Sequence, residues 1–284
     1  MSGLGRRAAM QSWQSENVGR TLPFLKWTGG KRALAAEILA SLEYVGGRYY
    51  EPFVGGGAVF FALCPEEAIL SDLNPELIEC YQTVAQSPDL VAARLSGMEN
   101  SEDSYYRVRN SRPTSDIGRA ARFIFLTSLS FNGIYRQNLR GLFNVPYGKK
   151  STKKLADYEL LKTASAILKR CHLRTGDFEE ATARAKRGDT VYFDPPYTVA
   201  HNNNGFVKYN ASIFSWDDQQ RLASHAAKLV ERGCKVVVSN ADHKSIRDLY
   251  QRFEMKLIQR NSVIAASAGF RRTVTECLFV SKSH

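Results

Sequence analysis

Residues 190–197, Thr-Val-Tyr-Phe-Asp-Pro-Pro-Tyr, join a short apolar run to an acid, two prolines and a tyrosine. The β-branched and aromatic residues of the run predict a buried strand, which neither proline can continue. Asp194 is therefore expected at the carboxyl end of that strand, where open α/β sheets bind their ligands. Pro195 and Pro196 present carbonyl acceptors without an N–H donor, and Tyr197 adds a flat ring. These groups suit a planar ligand with an amine, whereas the alternative is an ordinary Asp-Pro turn.

Length, composition and charge predict a packed globular protein with a polyanionic partner. The 284 residues suffice for one large domain or for a core domain with a smaller insertion, and 44% of them are hydrophobic. The formal net charge of +11 favours a polyanion, although basic chains can also serve solubility. Residues 1–20 are polar and are interpreted as a mobile leader. The sequence contains neither an 18-residue apolar run nor a signal peptide, so no membrane contact is expected.

The five cysteines indicate a reducing compartment. Their number is odd, and none of them forms a C-x-x-C pair. This pattern argues against a disulfide framework and against a zinc site, so we expect a cytoplasmic protein without a metal.

Residues 24–31, Phe-Leu-Lys-Trp-Thr-Gly-Gly-Lys, lead into a predicted helix. Thr28 is expected to cap this helix, and Lys31 beside two glycines is expected to form an anion site. A P-loop is excluded, because Leu25 and Arg32 stand where it needs glycine and serine or threonine. The alternative is a capped surface helix with a solvated lysine. The apolar residues expected on one helix face are Leu34, Ile38 and Leu42.

Residues 48–57, Arg-Tyr-Tyr-Glu-Pro-Phe-Val-Gly-Gly-Gly, predict a strand and a glycine turn before a second helix. Gly55 and Gly57 allow the backbone to approach a nucleoside or an amino-acid group closely, with Phe53 beside them. Phe60 stands where a dinucleotide-binding fingerprint needs its last glycine. No diphosphate site is therefore expected.

Two acids at predicted strand ends complete a candidate nucleoside site. Asp72 closes the predicted strand 68–72, about 20 residues after a glycine turn, where a ribose-binding carboxylate is expected. Asp177 is expected to accept a hydrogen bond from an adenine amine, with Phe178 against the ring. Helix capping is the alternative for both acids. Together these features indicate adenosine without a diphosphate.

Residues 75–165 interrupt the alternation of strands and helices with a mostly helical, basic and aromatic segment. Its residues 132–140 carry Asn and Arg side chains that can pair with base edges, and flanking glycines mark them as a loop. Lysines can follow phosphates and aromatic rings can enter base steps. For the lysines of residues 149–154, a solvated face is the alternative.

The remaining C-terminal residues complete one α/β core. Residues 198–210 are polar and predict a lid, and Ser215 with Asp218 resembles a capping box for a helix that reaches Gly233. Further predicted elements are a buried strand at 235–239 and a closing hairpin of 254–262 and 273–280. Residues 21–74 and 166–284 are thus expected to form the core around the insertion at 75–165.

Five motifs occur in register along the chain: F-L-K-W-T-G-G-K, E-P-F-V-G-G-G, S-D-L-N, F-N-G-I-Y-R-Q-N-L-R-G-L-F-N-V-P-Y-G and D-P-P-Y. From residue 24 to the C-terminus this closely resembles the Dam-type (D12 class, α-group) DNA adenine-N6 methyltransferases and their restriction-modification relatives. The resemblance implies a Rossmann-like core with S-adenosylmethionine as methyl donor and duplex DNA as partner. It further implies GATC as target and a cytoplasmic protein of a bacterium or phage host, at the nucleoid or in the cytosol. A monomer is expected, and a weak dimer on DNA is left open.

The resemblance also assigns roles to individual residues. Those at donor-binding positions are Trp27, Lys31, Asp72 and Asp194. Those at DNA-reading positions are Lys26, Asn132, Ile134, Arg136 and Pro146, to which Asn138 and Arg140 of the same block are added. Phe131 replaces a tyrosine of the best-known member at a position whose ring enters the duplex.

The mechanism that this family implies agrees with the acid corner. Asp194 and the Pro195 carbonyl would accept the two N–H bonds of adenine, within a turn stiffened by Pro196. Tyr197 would stack on the base after it is flipped from the duplex. Transfer would be direct, because no cysteine follows a proline as in cytosine-C5 enzymes. The rivals are an RNA or protein-amide methyltransferase and a DNA-binding protein with an inactive site.

Overall fold

The computed structural model describes residues 21–138, 140–149, 155–199, 214–261 and 273–282. The strands are β1 (Tyr49–Glu51), β2 (Ala68–Asp72), β3 (Cys171–Thr175), β4 (Thr190–Phe193), β5 (Lys235–Ala241), β6 (Glu254–Asn261) and β7 (Thr273–Val280). They form a seven-stranded sheet in the order β3-β2-β1-β4-β5-β7-β6. This mixed α/β architecture confirms the expected Rossmann-like core. The predicted lid at 198–210, the leader and the lysines of 150–154 lie mainly outside the described residues.

Ten α-helices surround the sheet in the described part of the chain. They are α1 (Ala35–Leu42), α2 (Ala58–Leu63), α3 (Pro75–Gln86), α4 (Pro88–Ser96), α5 (Glu102–Asn110), α6 (Asp116–Leu129), α7 (Tyr158–Leu168), α8 (Phe178–Thr182), α9 (Trp216–Glu231) and α10 (Lys244–Leu249). Short 3-10 helices occupy Lys31–Leu34 and Phe131–Gly133. Within these described helices, none has the length and apolar character needed to cross a bilayer.

The strand predicted from the central motif is β4, and all four of its residues are buried. It pairs in parallel with β1 on one side and with β5 on the other. A strand in the middle of a parallel sheet has both faces covered by helices, which explains its continuous apolar sequence. From β1 the chain proceeds outward through β2 and β3, and β4 then starts the opposite half of the sheet. The switch point between β1 and β4 is where such sheets bind ligands.

The predicted closing hairpin is confirmed as β6 and β7, which pair antiparallel. β7 lies between β6 and β5, and it pairs antiparallel with β5 as well. This pairing places Glu276 of β7 opposite Ala241, at the carboxyl end of β5. The last strand of the chain therefore contributes a side chain near the ligand-binding edge of the sheet.

The helices of residues 75–165 share a core with the sheet. Leu77 and Tyr81 of α3 are buried in the same apolar cluster as Leu70 of β2 and Leu161 of α7. A second cluster, which includes Val191 of β4, contains α9 residues. The division of the chain at residue 75 remains a prediction, and the two proposed parts are in extensive contact.

The local rules for helix starts succeeded at one site and failed at another. Ser215 and Asp218 form the predicted capping box of α9. Thr28, in contrast, does not cap a helix, because the first helical turn begins after Gly30 without a side-chain cap. The Thr28 hydroxyl instead donates to the carbonyl of Gly133, 3.2 Å away. Its role is thus to tie the segment before α1 to the loop at residue 133.

Candidate active site

The predicted acid corner lies at the carboxyl end of β4, beside the switch point of the sheet. Asp194 directly follows β4, and Lys31 Nζ lies 2.8 Å from its Oδ1 atom. The Lys31 side chain is only 6% exposed, which contradicts the alternative of a solvated lysine. The anion that Lys31 binds in this structure is therefore the Asp194 carboxylate.

A second acid reaches the same ammonium group from β7. Glu276 Oε2 lies 3.8 Å from Lys31 Nζ and accepts a 2.7 Å hydrogen bond from the Tyr197 hydroxyl. Lys31 also lies over the Tyr197 ring, 4.8 Å from its centroid, and donates to the carbonyl of Gly29. Burial, together with the charges of Asp194 and Glu276, raises the pKa of the Tyr197 hydroxyl well above its usual range. The tyrosine therefore remains protonated and acts as a donor.

The proline turn is held from behind by a buried polar chain. Gln219 of α9 donates to the Pro196 carbonyl at 3.0 Å and accepts from Asn240 of β5 at 2.8 Å. Both amide side chains are buried, so each hydrogen bond replaces one that water would make. The expectation that both proline carbonyls are free is thus wrong for Pro196, and the Pro195 carbonyl is the one left for a ligand role.

The glycine turn between β1 and α2 packs against Trp27. Gly55 and Gly57 have positive φ angles of 46° and 67°. A Cβ atom on Gly55 would lie 2.8 Å from the Trp27 indole, and one on Gly57 would lie 2.9 Å from the Tyr81 hydroxyl. The missing side chains thus make room for aromatic residues of the chain itself. A role of the turn in binding a donor remains a prediction.

Asp72 closes the turn from the end of β2. Its Oδ2 atom accepts from the Gly55 N–H at 3.2 Å, and Oδ1 accepts from the Asn74 N–H at 3.0 Å. Burial raises the pKa of Asp72 to about 6, and the backbone donors oppose this shift. Asn74, and not Asp72, is the cap of α3. The acid is therefore held beside the glycine turn, as a ligand-binding carboxylate would have to be.

Asp177 and Phe178 lie at the start of α8, after β3. Asp177 caps the helix by accepting from the Glu179 N–H and forms an ion pair with Arg221 at 2.8 Å. The Phe178 ring is buried between Phe53, 5.7 Å away, and the Arg221 guanidinium. The capping alternative is the geometry observed, and a contact of Asp177 with adenine remains a prediction.

The predicted recognition block forms an irregular hairpin over residues 131–138 and 140–147. The Phe131 N–H donates to the Pro146 carbonyl and the Asn144 N–H donates to the Arg136 carbonyl. This arrangement confirms the predicted loop. Phe131 is 48% exposed at one end of the hairpin, which leaves its ring accessible to a partner.

The polar side chains of the hairpin differ in their availability. Arg136 is exposed, and its Nε donates to Asn144 at 2.8 Å, which orients the guanidinium. Asn138 accepts from the N–H groups of Arg140 and Leu142, so its carbonyl oxygen shapes the turn. Asn132 is exposed and has a positive φ of 54°. The remaining members of the DNA-reading set are Lys26 and Ile134, which are half-buried, and Pro146 and Arg140, which are exposed.

Tyr135 anchors the hairpin to the rest of the site. Its ring stacks on Trp27 with 5.6 Å between centroids, and its hydroxyl donates to Glu76 at 2.8 Å. The Lys26 side chain lies directly against Gly133, because a Cβ atom added to Gly133 would be 2.8 Å from the Lys26 methylene carbons. Residues 26–28 therefore join the glycine turn to the recognition hairpin.

Sequence reasoning missed three buried polar residues of the site: Glu51, Gln219 and Glu276. Glu51 ends β1, accepts from the Tyr49 hydroxyl, and has a pKa raised to about 8 by burial. A charged residue inside an apolar strand, as in Thr-Val-Thr-Glu-Cys-Leu-Phe of β7, is a signal that was available for Glu276. No such signal marks Gln219, which lies on a polar helix.

Comparison with known proteins agrees with this arrangement. The family model of the D12 class N6 adenine-specific DNA methyltransferases matches residues 27–264. Type II methyltransferase M1.LlaDCHI of Lactococcus lactis subsp. cremoris is 36% identical over 266 residues, which cover 90% of this chain and 94% of that protein. The DNA adenine methylase of Escherichia coli K12 is 34% identical over 265 residues, covering 91% and 95% respectively. The chain belongs to the D12 class of N6 adenine-specific DNA methyltransferases.

Proposed function

We propose that this adenine-N6 DNA methyltransferase modifies the adenine of GATC in duplex DNA. The base is flipped from the helix, and the methyl group of S-adenosylmethionine is transferred directly and in line. The single observation that carries the proposal is the position of Asp194 at the carboxyl end of β4, beside the switch point of the sheet and paired with Lys31. A base that enters this corner meets acceptors, an aromatic ring and a neighbouring donor site together.

The residues around the glycine turn fit the donor. Gly55 and Asp72 are hydrogen-bonded to each other at the carboxyl ends of β1 and β2, the edge at which such sheets bind nucleosides. Trp27 packs against the turn, and Lys31, four residues later in the chain, pairs with Asp194. Bound there, S-adenosylmethionine supplies an electrophilic methyl group on a positively charged sulfur. Phe53, Gly57 and Phe178 complete the proposed donor-binding set, and Asp177 accepts from the adenine amine of the donor.

The acid corner activates an otherwise poor nucleophile. The lone pair of the adenine amine is delocalised into the ring, and acceptors on both N–H bonds draw the nitrogen toward tetrahedral geometry. Asp194 and the Pro195 carbonyl provide these acceptors, while Gln219 holds the turn through Pro196. A nitrogen–methyl bond would form as the sulfur–methyl bond breaks, with S-adenosylhomocysteine as the leaving group, and the nitrogen would release one proton to solvent. Fixing both reactants in this geometry supplies much of the acceleration.

The hairpin supports recognition of duplex DNA at a defined site. Arg136 is exposed and oriented by Asn144, and an arginine in this state can donate to two acceptors of guanine. Phe131 has the exposed ring that would fill the space of the extruded base. Assignment of GATC rests on the nearly intact block from Asn132 to Pro146.

Transfer of a radiolabelled methyl group tests the proposal and separates its rivals. The purified protein is incubated with labelled donor and a GATC duplex, a scrambled duplex of equal composition, or an RNA duplex of the same sequence. We expect label in the GATC duplex alone, recovered as N6-methyladenine after nuclease digestion. Label in both DNA duplexes would reject the target, and label in RNA would reject the substrate class. Absence of label from all three would reject the proposal in favour of an inactive binding protein or a protein-amide methyltransferase.

A further inference from the structure

Glu276 is a buried carboxylate that the proposed mechanism does not use. The residue is 1% exposed on β7, in a strand whose neighbouring residues Cys277, Leu278 and Phe279 are also buried. Burial of a carboxylate is unfavourable unless charged or hydrogen-bonding partners compensate it. A hydrophobic residue would be less costly to bury at this position of the strand. The reason for an acid there must therefore lie in the groups that Glu276 contacts.

Those partners belong to the acid corner. The Tyr197 hydroxyl donates to Glu276 Oε2 at 2.7 Å, and Lys31 Nζ lies 3.8 Å from the same oxygen. The ammonium group lies 2.8 Å from Asp194 on its other side. Lys31 is thus shared between two carboxylates, Asp194, which would bind the proposed base, and Glu276, which accepts from the Tyr197 hydroxyl.

We infer that Glu276 is a positioning residue of methyl transfer, which fixes the Tyr197 ring and holds Lys31 while Asp194 binds the target amine. The inference rests on the proposed roles of Asp194 and Tyr197. An Asp194 oxygen that is occupied by the ammonium accepts an adenine N–H less readily. Because Glu276 lies about 1 Å farther from the ammonium than Asp194 does, a small movement transfers Lys31 without leaving it unpaired.

The hydrogen bond to Tyr197 has a second consequence. The ring is held at its hydroxyl end by Glu276 and on one face by Lys31, 4.8 Å from the centroid. The proposed stacking of the flipped base would use the ring face opposite Lys31. A ring that is fixed before the base arrives does not lose side-chain freedom when the base binds. This lowers the entropic cost of reaching the geometry for methyl transfer.

The test compares Glu276→Gln with a matched control. Glutamine keeps the size of the side chain and an acceptor for Tyr197, but it cannot compensate the charge of Lys31. Glu254→Gln is the control, because Glu254 lies exposed on the neighbouring strand β6. Single-turnover transfer to a GATC duplex is measured at saturating donor and DNA, with dissociation constants and melting temperatures from the same preparations.

For Glu276→Gln we expect the transfer rate to fall by at least about tenfold, while the dissociation constants for DNA and donor change by less than about threefold. Glu254→Gln should behave as wild type. Tyr197→Phe removes the hydrogen bond that Glu276→Gln weakens by making its acceptor neutral, and it tests the inference separately if Glu276→Gln does not fold. The double variant should lose less than the product of the two single losses, since Glu276→Gln weakens a hydrogen bond that Tyr197→Phe has already removed.

A transfer rate for Glu276→Gln within twofold of wild type would overturn the inference, and so would fully multiplicative losses in the double variant. If Glu276→Gln does not fold, an unchanged rate for Tyr197→Phe would overturn it in the same way. Failure of the proposed function is separately visible, because wild-type protein would then leave the GATC duplex unmethylated.

Discussion

The Trp27 indole stacks on the Tyr135 ring, with 5.6 Å between their centroids and 20° between their planes. The same indole lies where a side chain on Gly55 would be placed. Trp27 is therefore in contact with the proposed donor turn and with the recognition hairpin at once. A change at the glycine turn should disturb both through this one ring.

Gly55→Ala tests that contact. The new methyl group would lie 2.8 Å from the indole, and alanine is strained at a φ of 46°, which alone costs about 1–2 kcal/mol. We expect a larger loss of unfolding free energy than strain explains, and donor affinity at least about tenfold weaker. Urea denaturation and calorimetric titration of the donor measure the two effects.

Gly188→Ala is the matched control, because Gly188 has a φ of 88° and open space at its Cβ position. It should show the strain without the loss of donor affinity. Equal behaviour of the two variants would mean that packing against Trp27 is unimportant.

Arg136→Ala should relax the choice of one base pair. Arg136 is exposed and oriented by Asn144, so we expect discrimination at that pair to fall by about 1–3 kcal/mol. The measurement is the ratio of methylation rates on GATC and on duplexes with one pair changed. Arg252→Ala, on an exposed arginine, should keep the ratio. A uniform loss of affinity across all duplexes would instead identify Arg136 as a phosphate contact.

The stability of the protein should fall as pH rises, because Glu51 is buried. Burial raises its pKa from 4.5 to about 8, so between these values the folded chain keeps a proton that the unfolded chain has released. The free energy of unfolding should therefore decrease across this window by an amount on the order of 5 kcal/mol. The raised pKa of Asp72 should add a further decrease in the free energy of unfolding between pH 3.8 and about pH 6.

Glu51→Gln isolates the contribution of Glu51, since glutamine resembles the protonated acid and still accepts from the Tyr49 hydroxyl. Denaturation at pH 5 and pH 9 should show a smaller decrease for this variant than for wild type. Glu99→Gln, on an exposed residue, should retain the wild-type decrease. Identical pH dependence of all three proteins would contradict the prediction.

Local sequence patterns were sufficient for the elements that carry the site. The buried runs that become β2, β4 and β5 are each bounded by residues that end strands, and the acids after them lie at one edge because parallel strands point the same way. The loop at residues 132–140 was likewise predicted by its glycines, whereas its closure into a hairpin was not.

Contacts between distant segments were not predictable in this way. Lys31 lies near Glu276 only because β7 inserts between β5 and β6. The rules for helix caps also could not predict that the Thr28 hydroxyl donates to the Gly133 carbonyl. Gln219 carries no local signal, because its partners Pro196 and Asn240 come from other elements. The contacts of these side chains are set by tertiary packing and not by the local sequence.

The most direct measurement is single-turnover methyl transfer by Asp194→Ala on a GATC duplex. If the carboxylate draws electron density onto the adenine amine, the rate should fall by about 10³-fold or more, while duplex affinity and the folded state persist. Persistence of the fold is expected because Glu276 remains 3.8 Å from Lys31. A variant that methylates at a rate close to wild type would contradict the mechanism.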